Sequence, residues 1–176
     1  MKKMSLLMCS LAIAGFTFTS CSDDDNETND NTKIEGTYEL EQVNTEEATD
    51  FDKNGTSHID QTEESDCYDA GKIVLNSDNT FTYVKTEILV NEAEGTAGCA
   101  SPVTYSGTWS AAGTGTQAVI TGMYEDNNGD DQVVILSKDG KKLTLTDDTI
   151  LSRYPDRNND GGAIYTSGSI EYVFEK

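Results

Sequence analysis

Apolar and polar side chains alternate at every second residue along much of this chain, which confines most of the fold to half-buried β-strands. In residues 34–40, IEGTYEL, Ile34, Gly36, Tyr38 and Leu40 share one face while Glu35, Thr37 and Glu39 share the other. In 103–109, VTYSGTW, Val103, Tyr105, Gly107 and Trp109 oppose Thr104, Ser106 and Thr108. In 170–175, Ile170, Tyr172 and Phe174 alternate with Glu171, Val173 and Glu175, so Val173 interrupts the polar face. Further strand-like runs cover 72–76, 80–90, 116–124, 131–137 and 141–147, and no segment after residue 33 sustains a helical repeat.

Turn residues separate these runs. Ser77-Asp78-Asn79 and Lys138-Asp139-Gly140 fall between neighbouring strands, and Asn79 and Gly140 suit the left-handed conformation of a tight hairpin. The two turns follow GTYEL and GTWSA in the same order, a hint of internal repetition. About eight antiparallel strands joined by short turns predict an all-β domain over 34–176, closed as a single up-and-down barrel. A two-sheet sandwich is the alternative.

Ahead of that domain stands a segment of different character. Met1-Lys2-Lys3 is basic, residues 4–20 carry no charge, and Cys21 follows. Residues 1–20 read as a secretory signal peptide, too short for a comfortable bilayer span of about 20 apolar residues. The boundary Phe18-Thr19-Ser20-Cys21 resembles a bacterial lipobox, with Phe18 where Leu is usual. That resemblance implies lipidation of Cys21, and two or three acyl chains there would anchor the protein stably. Residues 21–33 then form a flexible acidic tether whose composition cannot build a core. Ser22-Asp23-Asp24-Asp25 resembles an export tag of Gram-negative surface lipoproteins, which implies an outer-membrane, cell-surface address.

All 32 acids lie beyond residue 20 with only 10 of the 12 Lys and Arg, so residues 21–176 carry a formal charge near −22. Such a field repels phosphate backbones, excludes nucleic acid as a partner and favours cations. Of four cysteines, Cys9 leaves with the signal and Cys21 takes lipid. Cys67 and Cys99 remain as an even pair in an oxidising compartment and read as a disulfide. The loop closed would be about 33 residues, worth roughly 3–4 kcal/mol on the chain-entropy account.

Several short pieces carry a family resemblance. Gly36-Thr37-Tyr38, DFDKNGTSHID at 50–60, Cys67 shortly before a strand, LNSDNTFTY at 75–83 and Gly107-Thr108-Trp109 resemble the lipocalin-like domains of bacterial surface lipoproteins. Tyr38 stands where that pattern usually has Trp. The resemblance implies a barrel whose interior can hold an apolar ligand, and it offers no catalytic residues.

Two loops have the oxygen spacing of a calcium loop's first half. Asp156, Asn158 and Asp160 precede Gly161, and Asp50, Asp52 and Asn54 precede Gly55. Alternate side chains in D-x-[DN]-x-[DN]-G converge on one centre, and the glycine makes the turn. The distal glutamate is missing from both, since Gln61 and Ser167 occupy the twelfth positions. The competing reading is that Asp, Asn and Gly simply build hairpin loops. A third acidic loop, 125–131, lacks the spacing. No other cofactor is expected.

Catalysis has little footing. His58 is the single histidine and falls in a loop. Asp147 shares the Leu143/Leu145 face, where an acid needs a partner unless the strand ends there. The expectation is a non-enzyme. Tyr38, Tyr105, Trp109, Tyr172 and Phe174 fall on inward faces, where they either line a ligand pocket or fill a small barrel, the favoured reading. The function expected is capture of a small apolar or amphipathic ligand by a lipid-anchored envelope protein. The alternative is a solid-core surface lipoprotein that contacts an outer-membrane protein or a glycan through its acidic loops.

Overall fold

The computed structural model describes residues 32–176; the segment expected to be a signal peptide, Cys21 and nearly all of the expected tether lie outside the described residues. The chain runs β1 (Gly36–Thr49), β2 (His58–Asp60), β3 (Lys72–Leu75), β4 (Thr80–Lys85), β5 (Ile88–Asn91), β6 (Thr96–Cys99) and β7 (Val103–Thr114). It continues through β8 (Gln117–Glu125), β9 (Asp131–Asp139), β10 (Lys142–Asp147), β11 (Arg153–Arg157), β12 (Ala163–Ser167) and β13 (Ile170–Glu175).

Eight of these strands close an antiparallel barrel in the order β1, β3, β4, β7, β8, β9, β10, β13, and β13 pairs back onto β1. That return pairing places Leu40 beside Phe174 and rules out an open two-sheet sandwich. Each alternating run in the sequence supplies one barrel strand, in chain order. The fold is therefore a lipocalin-like closed barrel of eight strands, with β2 as a short flank on β1.

Two hairpins are additions to that plan. Residues 80–90 do not form one strand as the sequence suggests: the chain leaves the barrel after Lys85, and Ile88–Asn91 pairs with Thr96–Cys99 instead. The β11–β12 hairpin fills the connection between β10 and β13. The hairpins hold each other through Tyr165, whose hydroxyl donates to Ile88 O at 3.1 Å and accepts from the Val90 amide at 3.3 Å. Cys99 on β6 is bonded to Cys67, which lies in a single 3₁₀ turn at Asp66–Tyr68.

β1 serves both parts of the molecule because it changes phase. A bulge between Leu40 and Gln42 turns the inward face from Tyr38 and Leu40 to Val43 and Thr45. Upstream, Tyr38 joins Ile73, Leu75, Phe81, Ile120, Leu136, Leu143 and Phe174 in the barrel core. Downstream, Val43 joins Phe51, Tyr68, Ile88, Tyr154 and Ile170 in a second core beneath the hairpins. Burying one such side chain is worth about 1.5–3 kcal/mol. Gly71 permits the crossover, since a Cβ there would lie 2.6 Å from Leu40 Cδ2.

The two tight turns take the left-handed backbone their residues suit, with φ of +65° at Asn79 and +59° at Gly140. No helix among the described residues is long and apolar enough to cross a membrane.

Candidate functional site

One end of the barrel is packed solid, and the other opens into a cavity of about 640 Å³. At the solid end Tyr38 is fully buried, and its hydroxyl donates to Ile34 O at 2.7 Å. Trp109 donates through Nε1 to Asn76 O at 3.0 Å. Phe174 is likewise buried. These three of the five inward aromatics are core.

The other two, Tyr105 and Tyr172, line the cavity together with Tyr83 and Tyr124. Tyr105 and Tyr124 have ring centroids 4.7 Å apart, and Tyr83 meets Tyr124 edge-on at 6.3 Å. Sequence reasoning passed over Tyr83 and Tyr124, although alternation places Tyr83 with Phe81 and Tyr124 with Ile120 and Gly122.

The cavity exists because the barrel wall is incompletely zipped. β10 pairs with β13 along six residues and β8 with β9 along nine, whereas β9 and β10 share only three pairs, ending at Thr144–Ser137. Beyond that point the first half of β9 and the end of β10 diverge. Both inward Val134 and outward Val133 and Ile135 therefore reach the cavity, with Leu145 and Thr146 opposite.

Its rim is polar and of mixed charge. Lys85 and Glu87 form a 2.8 Å salt bridge there, with Asp126, Asp147 and Arg153 nearby. Burial works against the Lys85 ammonium, but Glu87 more than offsets it, and the pKa sits above the ordinary lysine value. Arg153 lies over the Tyr165 ring at 4.2 Å.

Burial, with smaller contributions from Tyr172 and Tyr124, pushes the Tyr83 phenol far upward. Burial, followed by Asp147 and Glu87, pushes Tyr172 up to about 12. Both remain neutral hydrogen-bonding groups across physiological pH. Asp147 is exposed at the rim and accepts from the Ser152 hydroxyl. His58 sits half-buried on β2.

The acidic loops behave differently from one another. Asp156 accepts from Thr166 Oγ1 at 2.7 Å, and Asn158 Oδ1 accepts from the amides of Asp160 and Gly162, so these side chains fasten the β11–β12 hairpin. Asn54 turns its side-chain nitrogen to Asp52 Oδ2 at 2.8 Å. A carboxylate oxygen from each of Asp50, Asp52 and Glu64 lies within 4.8 Å of the others, a group able to coordinate a metal ion.

No protein-family model matches the chain, and comparisons with curated proteins and with solved structures find no significant match. Its class rests on the strand order and barrel closure alone.

Proposed function

We propose that this protein binds a small amphipathic ligand at the open end of its barrel and performs no chemistry on it. The observation that supports this most is the tyrosine-lined cavity, in which Val134, Leu145 and Ile170 stand among polar and charged groups. Binding pockets of ordinary size span about 300–1,000 Å³ and pair apolar walls with a few polar groups. An acidic side chain tuned for proton transfer would be buried in that cavity, whereas Asp147 stands exposed at its edge.

In this reading the barrel is held at the cell surface by lipid on Cys21. The support is the FTSC boundary and the acidic segment behind it. Cys21→Ala is expected to lose the membrane association of the full chain. Processed mutant protein remaining in the membrane fraction would refute the anchor.

Ligand binding is tested by purifying the protein from its native envelope, unfolding it and weighing what is released by mass spectrometry. One small species in near-stoichiometric amount is expected. It should be absent from Leu145→Trp, which fills the cavity with a larger side chain. Wild-type protein that releases nothing would overturn the reading. It would favour the second one, contact with another envelope protein, which rests on the exposed residues Val119, Met123, Val133 and Ile135 on the outer face of β8 and β9.

A further inference from the structure

The segment that follows β1 buries polar groups the barrel does not use. Thr49 Oγ1 donates to Gln61 Oε1 at 3.0 Å, and Gln61 Nε2 donates to His58 O at 3.1 Å, which fixes Gln61 against the end of β1. A hydrogen-bonded turn follows, with the Glu64 amide donating to Gln61 O. That turn swings Glu64 back to Asp52, whose amide donates to Glu64 Oε2 at 3.1 Å. Asp50 Oδ2 accepts from the Gly55 amide at 3.0 Å, and both Asp52 oxygens accept from Asn54.

Two oxygens in this cluster are left over. Asp50 Oδ1 and Glu64 Oε1 are shut off from solvent and have no hydrogen-bond donor. Glu64 as a whole is only 4% exposed. A buried carboxylate oxygen without a donor is costly, and a second and third carboxylate beside it add repulsion. Among the described residues, no salt bridge relieves them. Arg157, a nearby cation, donates through Nε to Phe51 O at 2.8 Å and stacks over the Phe51 ring.

We infer that Asp50, Asp52 and Glu64 form a binding site for one divalent cation, with calcium preferred. Calcium–oxygen bonds of about 2.3–2.6 Å place opposite ligands of one ion roughly 5 Å apart, and the three oxygens lie within 4.8 Å of one another. A magnesium shell, with bonds of about 2.1 Å, is smaller and demands stricter geometry. The all-oxygen donor set disfavours softer metals. Asp52 is exposed, so water can complete the shell from its side. The distal acid of the loop pattern is thus present after all. It stands three positions beyond Gln61, carried back by the turn at 61–64.

The test is calorimetric titration of the full chain, stripped with chelator, with calcium chloride and then with magnesium chloride. One calcium per chain is expected, bound at least tenfold more tightly than magnesium and raising Tm by mass action. Glu64→Gln keeps an acceptor for the Asp52 amide and removes the buried charge. It should weaken calcium at least tenfold while leaving the calcium-free Tm unchanged or higher. Asp52→Asn, at an exposed position, should also weaken binding at least tenfold and serves if Glu64→Gln fails to fold. Asp156→Asn should bind as wild type. The inference fails if no calcium binds, if calcium and magnesium bind equally, or if the folded variants bind calcium like wild type. The last two results would assign the response to general screening of an acidic chain.

Discussion

The two ends of the barrel use the same residue types for different ends. At the solid end Tyr38 and Trp109 bury their rings and satisfy their polar atoms on backbone carbonyls of Ile34 and Asn76. At the open end Tyr105, Tyr124 and Tyr172 stand at the cavity wall, in the part of the barrel where β9 and β10 separate. Aromatics on inward faces are therefore not one class. Their role depends on whether the sheet around them stays zipped, and that depends on the β9–β10 ladder rather than on the residues themselves.

The contrast is broken most directly by substitution at the two ends. Tyr38→Ala should cost about 3–5 kcal/mol, as large-to-small changes in packed cores do, measured by equilibrium denaturation. Tyr105→Ala should cost about 1 kcal/mol or less while abolishing ligand retention. Equal losses at the two positions would erase the distinction between core and wall.

Removing the Cys67–Cys99 bridge with paired serines should lower stability by roughly 3–4 kcal/mol if the loop-entropy account holds. β3 and β4 lie within the bridged loop but are paired on both edges in the closed barrel, so the barrel strands should still exchange together, with the β5–β6 hairpin exchanging first.

The smallest effect is alkaline. Tyr172 titrates near 10 when unfolded and is pushed up to about 12 in the fold. The folded state then holds a proton that the unfolded chain has released, so stability is intact below pH 10 and falls between about pH 10 and 12. Tyr172→Phe should flatten that decline by about one proton's worth of slope. Tyr68, Tyr83, Tyr124 and Tyr154, also shifted upward by burial, keep the rest of the decline.

The barrel was legible because alternation survives wherever one face meets a core and the other meets water. It was lost where that condition fails. β1 beyond Leu40 changes phase at the bulge, so NTEEAT carries no period-two signal. β6 is exposed along its whole length. β11 contains Pro155, which argues against a strand until its edge position is known. The wall residues Tyr83 and Tyr124 were readable from alternation, but the cavity was not, because nothing in 131–147 announces that a ladder stops after three pairs. Glu64 was hidden by an assumed spacing. The twelve-residue rule looks at Gln61, and only the turn after Asp60 shows that the acid arrives later.

Barrel closure sets an order of events for this chain. Leu40 and Phe174 are side-by-side partners, although 134 residues of sequence separate them. The β3–β4, β7–β8 and β8–β9 hairpins need only nearby residues and can form in any sequence of local steps. The β1–β13 seam cannot join until residues 170–175 have been synthesised and released, and it carries the largest loop-closure cost in the domain. Until then the first strand keeps one edge unpaired and the nascent sheet stays open.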